Sequence, residues 1–113
     1  TFIIKEPNTK THVSWHQDLT YWGFDNNEKQ VSAWLALSKA NDQSGCMQMI
    51  PGSHKNGFFE HHSTEDKNNV LSRGQTVKDI DINNAVSCPL EPGEVSFHHG
   101  LTLHASQPNF SND

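Results

Sequence analysis

Arginine is almost missing from this 113-residue chain: Arg73 is the only one, and the eight basic residues stand singly in a sequence of formal net charge -5. No basic stripe exists to track a phosphate backbone, so the reading is no nucleic acid. Long hydrophobic runs are missing too. The longest falls far short of the roughly 18 apolar residues of a spanning helix, so there is no membrane span, and no secretory leader is visible. The compartment expected on that basis is cytoplasmic. Cysteine is scarce, with only Cys46 and Cys88. Without a secretory signal the two are read as reduced, half-buried side chains rather than a disulfide. Apolar residues reach only 33%, which is little for an isolated domain. Part of the core, or a partner strand, is therefore expected outside these residues. The start at Thr1 rather than Met agrees with a fragment of one domain, residues 1–113.

Convincing amphipathic helices are lacking as well. What is present is a series of short strands set off by turn residues. Thr1 to Lys5 reads as a strand, Glu6-Pro7-Asn8-Thr9 as a turn, and Thr11 to Asp18 as a second strand. After a polar loop at Gly23 to Lys29, the cleanest alternation runs from Val31 to Ser38. There Val31, Ala33, Leu35 and Leu37 share one face, expected to meet the core. Ser32, Trp34, Ala36 and Ser38 share the other, suited to a pocket wall. Further strands are expected at 46–50, 86–90, 95–98 and 101–106, with turns at Pro51-Gly52-Ser53 and Glu91-Pro92-Gly93-Glu94. Between them, about 55–84 is rich in Asn, Asp, Glu, Lys and His, and reads as a lid-like loop. The fold class that follows is an all-β sandwich or barrel.

The chemistry is expected around His16-Gln17-Asp18. On a strand, residues i and i+2 project to one face, so an imidazole and a carboxylate would stand side by side. Alone, the motif says little. With eight His and seven Asp, chance gives about half an occurrence, and a histidine bonded to its neighbouring aspartate is the plain reading. His104 changes the balance. It shares a strand face with Thr102 and Ser106, opposite Leu101, Leu103 and Ala105, and a polar inward face needs partners. Two histidines and a carboxylate form the facial triad of non-haem Fe(II) oxygenases, with positions left open for reactants. His12 reads as a surface residue, and His61 and His62 as part of a solvated loop. His54 could orient a loop or simply hydrogen-bond. Of His98 and His99, one must point inward, towards a contact behind the metal ligands.

Ile4-Lys5-Glu6-Pro7, Trp15-His16-Gln17-Asp18, Ala33-Trp34-Leu35-Ala36-Leu37, Gly45-Cys46-Met47, Ile50-Pro51-Gly52-Ser53-His54, Pro92-Gly93-Glu94-Val95 and His99-Gly100-Leu101-Thr102-Leu103-His104 follow one another in this order. Together they resemble the phytanoyl-CoA dioxygenase family of Fe(II)/2-oxoglutarate-dependent oxygenases. The resemblance implies a double-stranded β-helix (jelly roll, cupin-like), here partial at both ends. It implies His16, Asp18 and His104 as iron ligands, and Gln17, Trp34 and Ser106 as contacts to 2-oxoglutarate. The cofactor set it implies is Fe(II), 2-oxoglutarate and O2. The reaction it implies decarboxylates 2-oxoglutarate to succinate and CO2 while hydroxylating an unactivated C–H bond of a small-molecule or lipid-like substrate. Asp18 argues against the halogenase variant, in which a small residue replaces the carboxylate. Ala105 and Gln107 stand where relatives often carry glycines. The resemblance also implies an arginine about ten residues beyond the last ligand, to anchor the distal carboxylate of 2-oxoglutarate. No arginine or lysine lies between His104 and Asp113, so the 113 residues alone are expected to turn over poorly. The alternatives are a non-catalytic metal- or ligand-binding jelly roll and a metal-dependent hydrolase or isomerase of cupin type. The latter would need a general base that the sequence does not display. Neither the substrate nor an oligomeric state is legible.

Overall fold

The computed structural model describes residues 1–113 apart from 23–28 and 72–74. Most of the polar loop at Gly23 to Lys29, and Arg73, therefore lie outside the described residues. The described elements, in chain order, are β1 (Val13–His16), α1 (Leu19–Trp22), β2 (Val31–Leu35), β3 (Met47–Met49), a 3-10 turn (Ser53–Asn56), β4 (His61–Ser63), β5 (Gln75–Val77), β6 (Val86–Cys88), β7 (Val95–His99) and β8 (His104–Ser106). The chain is nearly all β, and every strand-to-strand ladder is antiparallel. One sheet has the order β1-β8-β3-β6, and two further pairs are β2-β7 and β4-β5.

β8 is the middle of the architecture. It pairs with β1 on one edge and β3 on the other, and the stretch leading into it is covered on both faces. Leu101, Leu103 and Ala105 are buried on one side, Thr102 and His104 on the other. Leu103 is among the most deeply buried side chains. Burying a leucine contributes about 1.5–3 kcal/mol, so this segment anchors a small core that also holds Val13, Leu19, Met47 and Val77. The β1-β8 pairing is irregular. Val13 lies opposite Ser106, yet His16 lies opposite His104, so β1 carries one residue more than its partner. Such a bulge re-aims the side chains beyond it.

Several expectations need correction. Residues 1–5 form no strand; the segment is held instead by Lys5, whose ammonium donates to the carbonyls of Gly45 and Gln107. Asp18 is not on the strand with His16, because β1 ends at His16 and the chain turns at Gln17-Asp18 into the single helical turn α1. The aliphatic face of β2 does not meet the core. Val31 (62% exposed), Leu35, Val95 and Phe97 (70% exposed) all lie on the uncovered outer face of the β2-β7 pair. The alternation and the pocket-wall side are as expected, with Ser32 and Trp34 on the less exposed face and Ser32 bonded to Asp18; only the aliphatic side is misassigned, since it faces outward. Finally, the stretch 55–84 is not one unstructured loop. It contains the end of the 3-10 turn and the β4-β5 pair, and Val77 is buried.

Candidate metal centre

Three elements deliver the three expected side chains. β1 carries His16 to its end, the turn after it carries Asp18, and β8 opens on His104. The bulge in β1 sets His16 directly across from His104, with the ring centroids 4.1 Å apart. Oδ1 of Asp18 lies 3.2 Å from Nε2 of His16 and 3.2 Å from Nε2 of His104. All three atoms fall within 4.8 Å of one another.

The protons on the imidazoles decide what this cluster can accept. Nδ1 of His16 donates to the carbonyl of Ser14 at 2.8 Å, and Nδ1 of His104 to the carbonyl of Thr102 at 2.9 Å. In its neutral form each ring thereby keeps its proton on Nδ1, which leaves Nε2 as a lone pair turned to the carboxylate. Burial pushes the His104 pKa down, which keeps that ring neutral against the pull of Asp18. Burial alone would push the Asp18 carboxyl up. The imidazoles of His104, His16 and His98 outweigh that effect and hold it far below the usual carboxylate range. With both rings neutral and Nδ1 protonated, two lone pairs and a carboxylate oxygen meet at one point, and a cation placed among them relieves their repulsion. The spacing fits one. Two neighbouring ligands each about 2.1 Å from an octahedral ion stand roughly 3 Å apart.

The other oxygen of the same carboxylate is occupied. Oδ2 of Asp18 accepts from the Ser32 hydroxyl at 2.6 Å and from Nε2 of His98 at 2.9 Å. Ser32 and His98 are cross-strand partners in β2-β7. The inward-pointing member of the His98-His99 pair is thus His98. For Ser32 the available signal was its place on the pocket-wall face of β2.

The family model for phytanoyl-CoA dioxygenase (PhyH) matches residues 1–113. The chain belongs to the phytanoyl-CoA dioxygenase family. The peroxisomal phytanoyl-CoA dioxygenase of Bos taurus is 34% identical over 117 residues, which cover 98% of this chain and 34% of that protein. EvdO2 from Micromonospora carbonacea var. aurantiaca, crystallised with 2-oxoglutarate, has a TM-score of 0.79 at 31% identity, covering 96% of this chain and 44% of EvdO2. SnoK, a non-heme alpha ketoglutarate dependent carbocyclase from nogalamycin biosynthesis, has a TM-score of 0.71 at 28% identity, covering 96% of this chain and 42% of SnoK. The chain spans about a third of the length of the curated relatives it matches. The structural relatives of this family are jelly rolls, in agreement with the antiparallel sheets here. Among the described residues no helix is long and apolar enough to cross a membrane.

The remaining phytanoyl-CoA dioxygenase-like positions are placed as follows. Trp34 is half-buried, on the face of β2 that also carries Ser32. Ser106 is half-buried, two residues beyond His104 on the same face of β8. Gln17 is 0% exposed. Its amide nitrogen donates to the carbonyls of Gly57 and Leu101, both at 2.8 Å, and its amide oxygen accepts from Phe59 N–H at 2.8 Å. Both amide protons are spent on backbone. Sequence reasoning missed His61, which was expected in a solvated loop. It is half-buried, accepts from Gln17 N–H at 3.0 Å through Nε2, and donates from Nδ1 to the carbonyl of Phe59 at 2.9 Å. Desolvation lowers its pKa and so favours that neutral ring. An isolated His-His dipeptide amid polar residues carried no signal for this role. His54 lies with its ring 5.3 Å from that of His99 and lines a separate cavity of about 290 Å³ with Lys55, Gly57 and Leu101.

Proposed function

We propose that the protein is an Fe(II)- and 2-oxoglutarate-dependent dioxygenase that hydroxylates an unactivated C–H bond of a small-molecule or lipid-like substrate. His16, Asp18 and His104 would be its metal ligands. The observation that carries this reading is the convergence of Nε2 of His16, Nε2 of His104 and Oδ1 of Asp18 within 4.8 Å of one another, with each Nδ1 already spent on a backbone carbonyl. Membership of the phytanoyl-CoA dioxygenase family supports it, as does the 2-oxoglutarate in EvdO2.

Bound at this point, iron would supply activation of O2, driven by decarboxylation of 2-oxoglutarate to succinate and CO2. The chain's own residues do the rest. His16 and His104 present Nε2 atoms whose orientation is held by the Ser14 and Thr102 carbonyls. Asp18 offers one oxygen and has the other held by Ser32 and His98, so a facial set of three leaves room for reactants. Trp34, on the inward face of β2, forms an apolar wall for 2-oxoglutarate. Ser106, on the ligand face of β8, offers it a hydroxyl. Gln17 serves from behind, tying the turn between the two ligands to residues 57–59 and 101.

The test is succinate release from 2-oxoglutarate by the full-length protein with Fe(II) and O2, across a panel of lipids, acyl thioesters and small metabolites. Substrate-stimulated succinate release with formation of a hydroxylated product is expected. Metal binding without succinate release under any member of the panel would favour a non-catalytic binding module.

A further inference from the structure

β7 is inside out. Its apolar residues Val95 and Phe97 face solvent, while Ser96 and His98 turn inward, and His98 is buried. A histidine kept for packing would have both ring nitrogens satisfied or would be replaced by an apolar side chain, because an unpaired buried polar atom is costly. His98 has neither remedy. Nδ1 is buried and has no hydrogen-bond partner among the described residues. Its one polar contact on the ring nitrogens is Nε2 with Oδ2 of Asp18, at 2.9 Å.

That contact fixes the proton. The Asp18 carboxylate only accepts, so Nε2 of His98 must donate, and a nitrogen that donates cannot ligate a metal. His98 therefore stands apart from His16 and His104, whose Nε2 atoms approach the opposite oxygen, Oδ1, as lone pairs. The Ser32 hydroxyl donates to Oδ2 alongside it, from the cross-strand position. Two donors saturate one oxygen of the carboxylate and leave the other as the natural ligand atom.

We infer that His98 is a positioning residue for the metal centre: with Ser32 it pins Oδ2 of Asp18, so that the carboxylate binds through Oδ1 alone and does not close a position that reactants need. The inference rests on the metal-centre reading above and deepens it. A carboxylate released from this grip can rotate or bind through both oxygens. Loss of a group that orients a metal ligand typically lowers metal affinity about 10–100-fold.

The experiment uses the full-length chain and Co(II), whose visible absorption reports coordination. His98→Leu replaces an imidazole lacking one partner with an apolar side chain of similar reach, and Gln at the same position keeps a donor near where Nε2 stands. For His98→Leu we expect a protein that still folds without metal, Co(II) affinity weakened about 10–100-fold, and an altered Co(II) spectrum. His98→Gln should restore the wild-type spectrum and most of the affinity. Ser32→Ala should weaken Co(II) binding in the same direction. Wild-type affinity and spectrum in His98→Leu would overturn the proposal. If His98→Leu does not fold, His98→Asn, too short to reach Oδ2, decides: weakened Co(II) binding supports the proposal, and wild-type binding overturns it. Asp18→Ala separates the two layers. Wild-type protein that binds Co(II) no better than Asp18→Ala refutes the metal centre itself. Binding that needs Asp18 but ignores His98 refutes only the positioning role.

Discussion

His16 and His104 face one another across the β1-β8 pair only because β1 carries one extra residue between Val13 and His16. Continued from the Val13-Ser106 pair without that slip, the ladder would set Trp15 opposite His104 and turn His16 to the other face. The bulge is thus the backbone feature on which the ligand set depends. Inserting one alanine after Ser14, with the Val13-Ser106 pair and a single bulge kept, would set Trp15 opposite His104 and should abolish high-affinity metal binding. Co(II) titration of the folded variant checks this, and retained wild-type affinity would show that this register does not hold the site.

Gln17 gives a prediction on stability. Gln17→Leu keeps the volume but strips the carbonyls of Gly57 and Leu101 and the N–H of Phe59 of their partners in a site with no exposure. Each buried group left unsatisfied costs about 1–3 kcal/mol. With three such groups, the variant should lose roughly 3 kcal/mol or more in denaturant unfolding. It should also show faster hydrogen exchange at Phe59, because residues 57–59 lose their tether.

Much of this was legible in the sequence, for identifiable reasons. The candidate ligands could be named because His16, Asp18 and His104 sit in motifs whose order is characteristic. β2, β3, β6, β7 and β8 could be located because turn residues bracket them, whereas β4 and β5, set amid polar residues, carry no such signal. What misled was the assumption that apolar residues mark the covered face. On β2 and β7 the apolar sides are the exposed ones, and the buried side is polar because it faces the cluster around Asp18. His98 and His61 could not be assigned from spacing, since their partners lie 80 and 44 positions away in sequence. The turn after His16 hid for a similar reason. Gln17 is fixed by residues 57, 59 and 101, and no local propensity reports them.

Gly45 should tolerate no side chain. Its φ is +74°, and a Cβ there would collide with the carbonyls of Gln107 and Pro108 and with the Lys5 ammonium. Gly45→Ala combines an unfavourable left-handed backbone with overpacking, so a loss of about 2–4 kcal/mol is expected. Denaturant unfolding checks it. A change below about 0.5 kcal/mol, the scale of an ordinary surface substitution, would contradict the packing described for the Lys5 clamp.

Lys5 itself should titrate unusually. Burial lowers its pKa to about 8 from 10.5, with the nearby Cys46 pulling weakly the other way. Between those values the unfolded chain holds more protons than the folded one, so stability rises with pH across the window. The contribution is complete above pH 10.5 and is lost as pH falls through about 8. Nitrogen-15 NMR of the Lys5 side chain should place its midpoint near 8, and a midpoint above 10 would refute it.

Trp34→Ala should separate cosubstrate from metal. The indole lines the inward face of β2 but offers no ligand atom, so Co(II) affinity should stay within about threefold of wild type. The apparent Kd for 2-oxoglutarate should rise about tenfold or more, as expected for loss of a large apolar contact. Parallel loss of both would make Trp34 a structural residue.

The most direct measurement of the central claim is the visible metal-to-ligand charge-transfer absorption that arises when Fe(II) and 2-oxoglutarate bind one another in a single site. It is recorded anaerobically on the full-length protein. The wild type should develop the band on addition of both components and with neither alone, and His16→Ala, Asp18→Ala and His104→Ala should each abolish it. A wild-type protein without the band, or an Asp18→Ala variant that keeps it at full strength, would contradict the account.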